Sequence, residues 1–157
     1  MSFTRTAVAA LMIGSLAMSA CSDDDEDPTG PEVSQFAGAW TATNIRYTSQ
    51  STPSRTLDAT QVGGALTMQI TAAGSFSGSI TIPGVGTLPL SGQITLEGDN
   101  EAEVDFQPDS PAIDDFTATY TLNGNTVVFT NPDASFQFPG QAAAEASVVV
   151  ITMVRAS

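Results

Sequence analysis

The sequence predicts an all-β fold, an antiparallel up-and-down barrel of about eight strands, with a β-sandwich as the alternative. The first observation behind this prediction is that apolar and polar residues alternate in one short segment after another from Phe36 onward. The second is that residues typical of tight turns separate these segments. No window of helix length after Phe36 has a helical apolar period, so helix is expected to be a minor component. The 157 residues allow one ordinary domain with its own core.

The N-terminal residues are predicted to serve export and tethering rather than the fold. Residues 7–20 form an apolar stretch of the length of a secretory signal core, with Arg5 before it. This stretch is too short to span a membrane, which needs roughly 20 apolar residues. Residues 22–34 are rich in Asp, Glu, Pro, Gly and Ser, so we expect them to form a disordered acidic tether.

The four residues Met18-Ser19-Ala20-Cys21 resemble a lipobox, the bacterial lipoprotein signal in which the cysteine is lipidated and becomes the first mature residue. Met18 occupies the first position of this motif, where leucine is commoner. The resemblance implies a signal peptide over residues 1–20, acyl chains such as palmitate on Cys21, and a tether over residues 21–35. Each buried methylene contributes about 0.8 kcal/mol, so the membrane anchor is expected to be durable. The alternative is an ordinary signal peptide with an unrelated cysteine.

The same resemblance implies a location in the cell envelope. Lipoproteins with serine after the cysteine usually go to the outer membrane of diderm bacteria, and Ser22 follows Cys21 here. The acidic run that starts at Asp23 leaves the inner membrane as an alternative.

Residues 36–157 are predicted to be the β domain, and its first strands are expected at residues 40–48 and 65–71. Residues 75–96 then read as a hairpin, because alternating segments flank the turn Pro83-Gly84-Val85-Gly86. Pro89 weakens the second arm, since proline cannot donate a ladder hydrogen bond. It therefore predicts an edge position or a bulge.

The middle of the domain is predicted to contain three more strands. The first, residues 101–106, alternates apolar residues with an acidic outer face. The next two, residues 116–122 and 125–130, flank Asn123-Gly124, a pair that suits the positive backbone angles of a type I′ hairpin turn.

The last part of the chain predicts a loop and a closing strand. Residues 131–144 contain two prolines and an alanine run, so we expect a loop with a short strand at residues 135–138. Residues 147–154 are nearly continuous in Val and Ile, which indicates burial on both faces or a barrel-closing position.

Gly38-Ala39-Trp40 at the start of the first strand, together with Arg155 at the end of the last, resembles the lipocalin-like barrel proteins. The resemblance implies a barrel closed at one end by Trp40, with Arg155 packed over the ring in a cation–π contact. It also implies a binding site for a small apolar molecule. Secreted lipocalins often carry disulfides, whereas the single cysteine here is taken by the predicted anchor.

Composition excludes most catalytic and metal sites. The chain has no histidine and no lysine, so Ser-His-Asp and Cys-His triads, Schiff-base lysines and imidazole zinc sites are ruled out. A net charge of −13 argues against a nucleic-acid partner. We therefore predict a protein that is not an enzyme and needs no cofactor or metal. The carboxylates that remain as acid–base or loose calcium candidates are expected to be solvated: Glu101, Glu103, Asp105, Asp109, Asp114 and Asp115.

Two functions remain open. The first is a binding module whose inward side chains line a cavity for a small apolar or amphipathic molecule. The residues predicted to line it, each of which also fits a filled core, are Met68, Phe76, Phe106, Phe116, Tyr120, Phe129 and Met153.

The second is a structural or interaction module that contacts an envelope protein through loops at residues 50–60 and 131–144. An exposed apolar patch around Phe136 and Phe138 would favour this second function.

Overall fold

Nine strands and two single-turn 3-10 helices form the part of the chain that this computed structural model describes, residues 32–107 and 114–156. The strands are β1 (Gly38–Ser49), β2 (Thr56–Asp58), β3 (Ala65–Ile70), β4 (Ser75–Ile82), β5 (Gly86–Leu96), β6 (Glu101–Phe106), β7 (Phe116–Asn123), β8 (Thr126–Phe136) and β9 (Glu145–Arg155). The 3-10 helices are Val33–Phe36 and Ala59–Val62. No helix within these described ranges is long and apolar enough to cross a membrane. The predicted signal, Cys21, most of the tether and Asp109 lie outside the described residues.

Eight of the strands close into an antiparallel barrel. β1 and β3 to β9 pair in chain order, and β9 returns to pair with β1, from Trp40 opposite Arg155 to Ser49 opposite Ser147. β2 lies outside the barrel and pairs with the second half of β1. The predicted up-and-down barrel is therefore confirmed, and the β-sandwich alternative is wrong. β9 holds the closing position that its run of Val and Ile predicted.

The strand connections divide between two ends of the barrel. The end where Trp40 meets Arg155 is called the closed end here. The short connections at this end are residues 71–74, 97–100 and 124–125. The opposite end is called the mouth. Its connections include residues 50–64, 83–85 and 137–144.

The 3-10 helix Val33–Phe36 packs across the closed end. The Phe36 side chain is fully buried, and its ring meets Tyr120 edge to face at 5.1 Å and stacks on Phe129 at 6.0 Å between centroids. Val33 packs, partly buried, against the same core. Residues 33–35 were predicted to belong to the tether, but they join the barrel because the side chains of Val33 and Phe36 cover its core.

Two inward-facing glycines let neighbouring strands approach closely enough for the sheet to close. A Cβ at Gly92 would overlap the carbonyl oxygen of Asp105 and the ring of Phe76. A Cβ at Gly78 would overlap the carbonyl oxygen of Thr67 on the neighbouring strand. Glycine inside a strand commonly marks such a close approach or a tight bend of a barrel.

The hairpin of β7 and β8 forms as predicted, but the predicted turn residues are wrong. Asn123 is the last paired residue of β7, so the turn is made by Gly124 and Asn125. Gly124 has a φ of +58°, which glycine adopts without strain. The resulting register sets Tyr120 opposite Phe129, with 6.3 Å between their ring centroids.

β8 continues to Phe136, although Pro132 predicted a loop there. A bulge between Asn131 and Ala134 shifts the pairing with β9 and takes up the proline, which has no N–H for the ladder. The loop is therefore confined to residues 137–144.

Candidate functional site

Trp40 and Arg155 are in contact at the closed end. The guanidinium carbon of Arg155 lies 4.7 Å from the centre of the Trp40 ring, which is 1% exposed. Trp40 Nε1 donates to the carbonyl of Phe36 at 2.7 Å, and Arg155 Nη2 donates to the carbonyl of Gln35 at 2.6 Å. A cation over a shielded indole face is worth about 1–2 kcal/mol. These contacts hold the 3-10 helix Val33–Phe36 across this end of the barrel.

The predicted ligand-lining side chains lie inside the barrel and pack against one another. They are Met68, Phe76, Phe106, Phe116, Tyr120, Phe129 and Met153. Phe76 meets Phe106 edge to face at 5.6 Å, and Phe106 lies 6.0 Å from Phe116. The Tyr120 hydroxyl donates to the carbonyl of Asp99 at 3.3 Å, and burial, followed by the charge of Asp99, raises the pKa of Tyr120. These side chains therefore belong to the hydrophobic core, and filled interiors are common in barrels of eight strands.

The mouth holds a cleft of about 530 Å³ that is open to solvent. Its walls come from β2, the 3-10 helix Ala59–Val62, the turn after β4 and the loop after β8. Eight of its eleven lining residues are apolar. The residues that line this mouth cleft are Leu57, Ala59, Val62, Ile82, Pro83, Phe136, Gln137, Phe138, Pro139, Gly140 and Gln141.

An aromatic cluster of Tyr47, Phe136 and Phe138 lies beside the cleft. Phe136 stacks on Tyr47 at 4.0 Å with 16° between the ring planes, and Phe138 meets Phe136 edge to face at 5.0 Å. Tyr47 lies on β1 and Phe136 on β8, with β9 between these two strands. Ser147 of β9 is fully buried there, and its small side chain leaves room for the stack. Phe136 and Phe138 do not form the exposed patch that would have favoured the interaction function, since Phe138 is 2% exposed and Phe136 is half-buried.

Asp58 fixes the β2 wall of the cleft to β1. Its carboxylate accepts from Asn44 Nδ2 at 2.6 Å, from the Ile45 amide at 3.4 Å and from the Thr60 amide at 3.0 Å. Desolvation raises the pKa of Asp58, but the hydrogen bond from the Thr60 hydroxyl at 2.7 Å, together with the three bonds above, holds it below its ordinary value. The carboxylate also caps the 3-10 helix Ala59–Val62, whose first and last residues line the cleft.

Glu145 ties the connection between β1 and β2 to β9. Arg55 Nη1 lies 2.6 Å from Glu145 Oε1, and the Ser51 hydroxyl donates to Oε2 at 3.2 Å. The hydrogen bond from Arg55 holds the pKa of Glu145 below its ordinary value. The mouth wall is therefore held by two carboxylates that both prefer the ionised form.

Most of the carboxylates predicted to be solvated lie at the surface. Glu101, Glu103, Asp114 and Asp115 are exposed, and Asp105 is half-buried. A second cleft of about 320 Å³ contains Glu103, Asp115 and Asp133, with Phe116, Thr117 and Asn131 completing its lining. Across residues 32–107 and 114–156, no group of three or more acidic, histidine or cysteine side chains is arranged to hold a metal ion.

Sequence reasoning missed β2 and the 3-10 helix that follows it. Leu57, Ala59 and Val62 were placed in or beside a loop, but they form one wall of the cleft. The available signal was the Asp58-Ala59-Thr60 sequence, because aspartate is a preferred cap residue. This wall is apolar because residues from loops that are distant in sequence come together, and a local sequence pattern does not reveal such contacts.

Comparison of the chain with models of known protein families gives no match, and comparison with curated proteins gives none.

Proposed function

We propose that this chain is a lipid-anchored, non-enzymatic protein of the bacterial cell envelope whose lipocalin-like barrel binds a small apolar or amphipathic molecule in its mouth cleft. The observation that carries the binding proposal is the cleft itself, which has an apolar lining and a volume of about 530 Å³. That volume falls within the range of about 300–1,000 Å³ usual for small-molecule sites, and the mouth of a barrel is a common place for one.

The mouth supports binding better than the interior does. The aromatic side chains predicted to line an internal cavity contact one another, from Tyr120 and Phe129 at the closed end to Phe106 and Phe116 nearer the mouth. A ligand inside would have to displace these contacts, at a cost of several kcal/mol for each large side chain moved. A ligand in the mouth cleft displaces water from an apolar surface instead.

The binding proposal is tested with the full chain and Nile red, an uncharged dye whose emission rises in apolar surroundings. We expect saturable binding to the unmodified chain. Val62→Asp, in the cleft lining and 51% exposed, should weaken binding at least about fivefold because it removes roughly 1 kcal/mol of apolar contact.

The matched control for this test is Val85→Asp, because Val85 is 68% exposed at the mouth but does not line the cleft. It should leave dye binding unchanged. Binding that does not saturate, or that both variants weaken equally, would contradict a site in the cleft.

The anchor proposal is supported by the Met18-Ser19-Ala20-Cys21 sequence and is tested separately. Cells that express the chain should incorporate labelled palmitate into it and retain it in the membrane fraction. Cys21→Ser should abolish both the label and the membrane retention, while Ser22→Ala should preserve them. Labelling that persists in Cys21→Ser would refute lipidation at this residue.

A second candidate function is contact with another envelope protein at the mouth. Val62 and Val85, which are 51% and 68% exposed, favour it. In that case the dye should not bind, and Val62→Asp and Val85→Asp should both reduce cross-linking of the chain to a single envelope protein in intact cells.

A further inference from the structure

Charge is absent from the mouth cleft, although the chain as a whole is strongly acidic. The net charge is −13, yet none of the eleven lining residues is Asp, Glu, Lys or Arg. From Ala59 to Leu96, a stretch that includes the wall residues Val62 and Ile82, the sequence contains no charged residue at all. The apolar lining is therefore uncharged throughout.

We infer that the mouth cleft selects uncharged apolar molecules and rejects anionic ones of the same size and shape. This inference rests on the proposed binding function and adds the chemical class of the ligand. The cleft is expected to accept a fatty alcohol or a neutral glyceride and to reject a fatty acid, because the fatty acid carries a carboxylate at neutral pH.

The first reason for this selectivity is that no described arginine is placed to receive an anion in the cleft. Arg55 is paired with Glu145 at 2.6 Å. Arg155 lies over Trp40 at the closed end. Arg46 is exposed on β1, between two residues that face the interior, so its side chain starts from the outer face.

The second reason is that the two carboxylates next to the lining residues leave no cation free for an anionic ligand. Glu145, the sheet partner of Phe136, is paired with Arg55. Asp58 is the sheet partner of Arg46, so both of these side chains start from the outer face. An anionic ligand would therefore lose water on entering the cleft and would meet no cation there to compensate.

The third reason is that the polar groups in the lining are neutral. Gln137 Nε2 donates to the carbonyl of Gln141 at 3.0 Å, and both residues are exposed at the edge of the cleft. Amides can donate to and accept from a hydroxyl or an ester. They do not supply the charge that a buried carboxylate needs.

The test compares two probes of equal chain length, 1-octanol and octanoate, by isothermal titration calorimetry on the full chain at pH 7. We expect 1-octanol to bind at least about tenfold more tightly than octanoate. Equal affinities, or tighter binding of octanoate, would overturn the selectivity while leaving the binding function in place. If neither probe binds, the proposed binding function fails and the selectivity fails with it.

A matched pair of variants tests whether the cleft itself is responsible. Val62→Lys places a cation in the lining at a residue that is already 51% exposed, and Val85→Lys adds the same charge outside the lining. Val62→Lys should raise the affinity for octanoate relative to that for 1-octanol about fivefold to tenfold, and Val85→Lys should leave this ratio unchanged. An equal gain in both variants would assign the rejection of anions to the overall charge of the protein and overturn the inference.

Discussion

Gly92→Ala is expected to lower the free energy of unfolding by about 2 kcal/mol. A Cβ at this position would lie 2.5 Å from Phe76 Cζ and closer still to the carbonyl oxygen of Asp105, although Cβ atoms do not tolerate neighbours within 3.0 Å. Overpacking of a core costs about 1–3 kcal/mol, and the upper value applies because one neighbour is backbone. Alanine returns up to about 1 kcal/mol by restricting the unfolded chain.

Urea unfolding followed by the fluorescence of Trp40, the single tryptophan of the chain, measures this change. The corresponding fall in the melting temperature is about 8 °C for a domain of this size. Gly84→Ala is the first control, because its Cβ would meet no atom within 4 Å and only its φ of +81° is unfavourable, which costs about 1 kcal/mol. Thr95→Ala, exposed on the same strand as Gly92, should cost less than about 0.5 kcal/mol. If Gly92→Ala is no less stable than Gly84→Ala, the close approach is not what limits this position.

Two further predictions concern the ends of the barrel. Asp58→Ala should lower the stability at neutral pH by about 1 kcal/mol through loss of the cap, and pH-dependent unfolding should show a second effect. Because the pKa values of Asp58 and Glu145 are lowered by folding, their contribution is present above the ordinary carboxyl range and is lost as the pH falls below about 4. The variant should therefore lose stability less steeply in acid than the unmodified chain does, and an identical slope would contradict the role of Asp58. Arg155→Met should cost about 1–2 kcal/mol and change the emission of Trp40, whereas Arg46→Met, at an exposed position, should do neither. No difference between these two variants would show that the cation–π contact adds nothing.

The barrel could be predicted because its strands obey a two-residue period that survives packing. In β3, Leu66 and Ile70 are buried while Thr67 and Gln69 are exposed, as alternation requires. The edge position predicted from Pro89 is also found, because β5 pairs with β6 only from Gly92 onward and Pro89 precedes that stretch. The alternation of apolar and polar residues and the residue types of the turns are properties of neighbouring residues, so they can be read from a single sequence.

The mouth cleft could not be predicted because it depends on residues that are distant in sequence. Pro132 indicated a loop, but a bulge takes up the proline and carries β8 on to Phe136, whose ring then stacks on Tyr47. The side chain of Asp58 was recognisable as a polar loop residue, whereas its bonds to Asn44 and Ile45 need β2 to lie beside β1. Such partners become visible only when the strand order is known.

The described chain enters the barrel at the closed end, through the 3-10 helix Val33–Phe36, so the proposed anchor would be joined to the end opposite the mouth cleft. The tether from residue 22 to residue 32 spans at most roughly 40 Å when extended. We therefore expect the mouth to face away from the anchoring membrane and to take its ligand from the aqueous side.

Introduced cysteines test this orientation, because Cys21 is the single native cysteine and its thiol is taken by lipid if the anchor forms as proposed. A fluorophore on Gln35→Cys, exposed at the closed end, should be quenched by nitroxide-labelled lipids in vesicles. The same fluorophore on Val85→Cys, at the mouth, should be quenched much less. Stronger quenching at position 85 would place the cleft against the bilayer, and the ligand would then be drawn from the membrane itself.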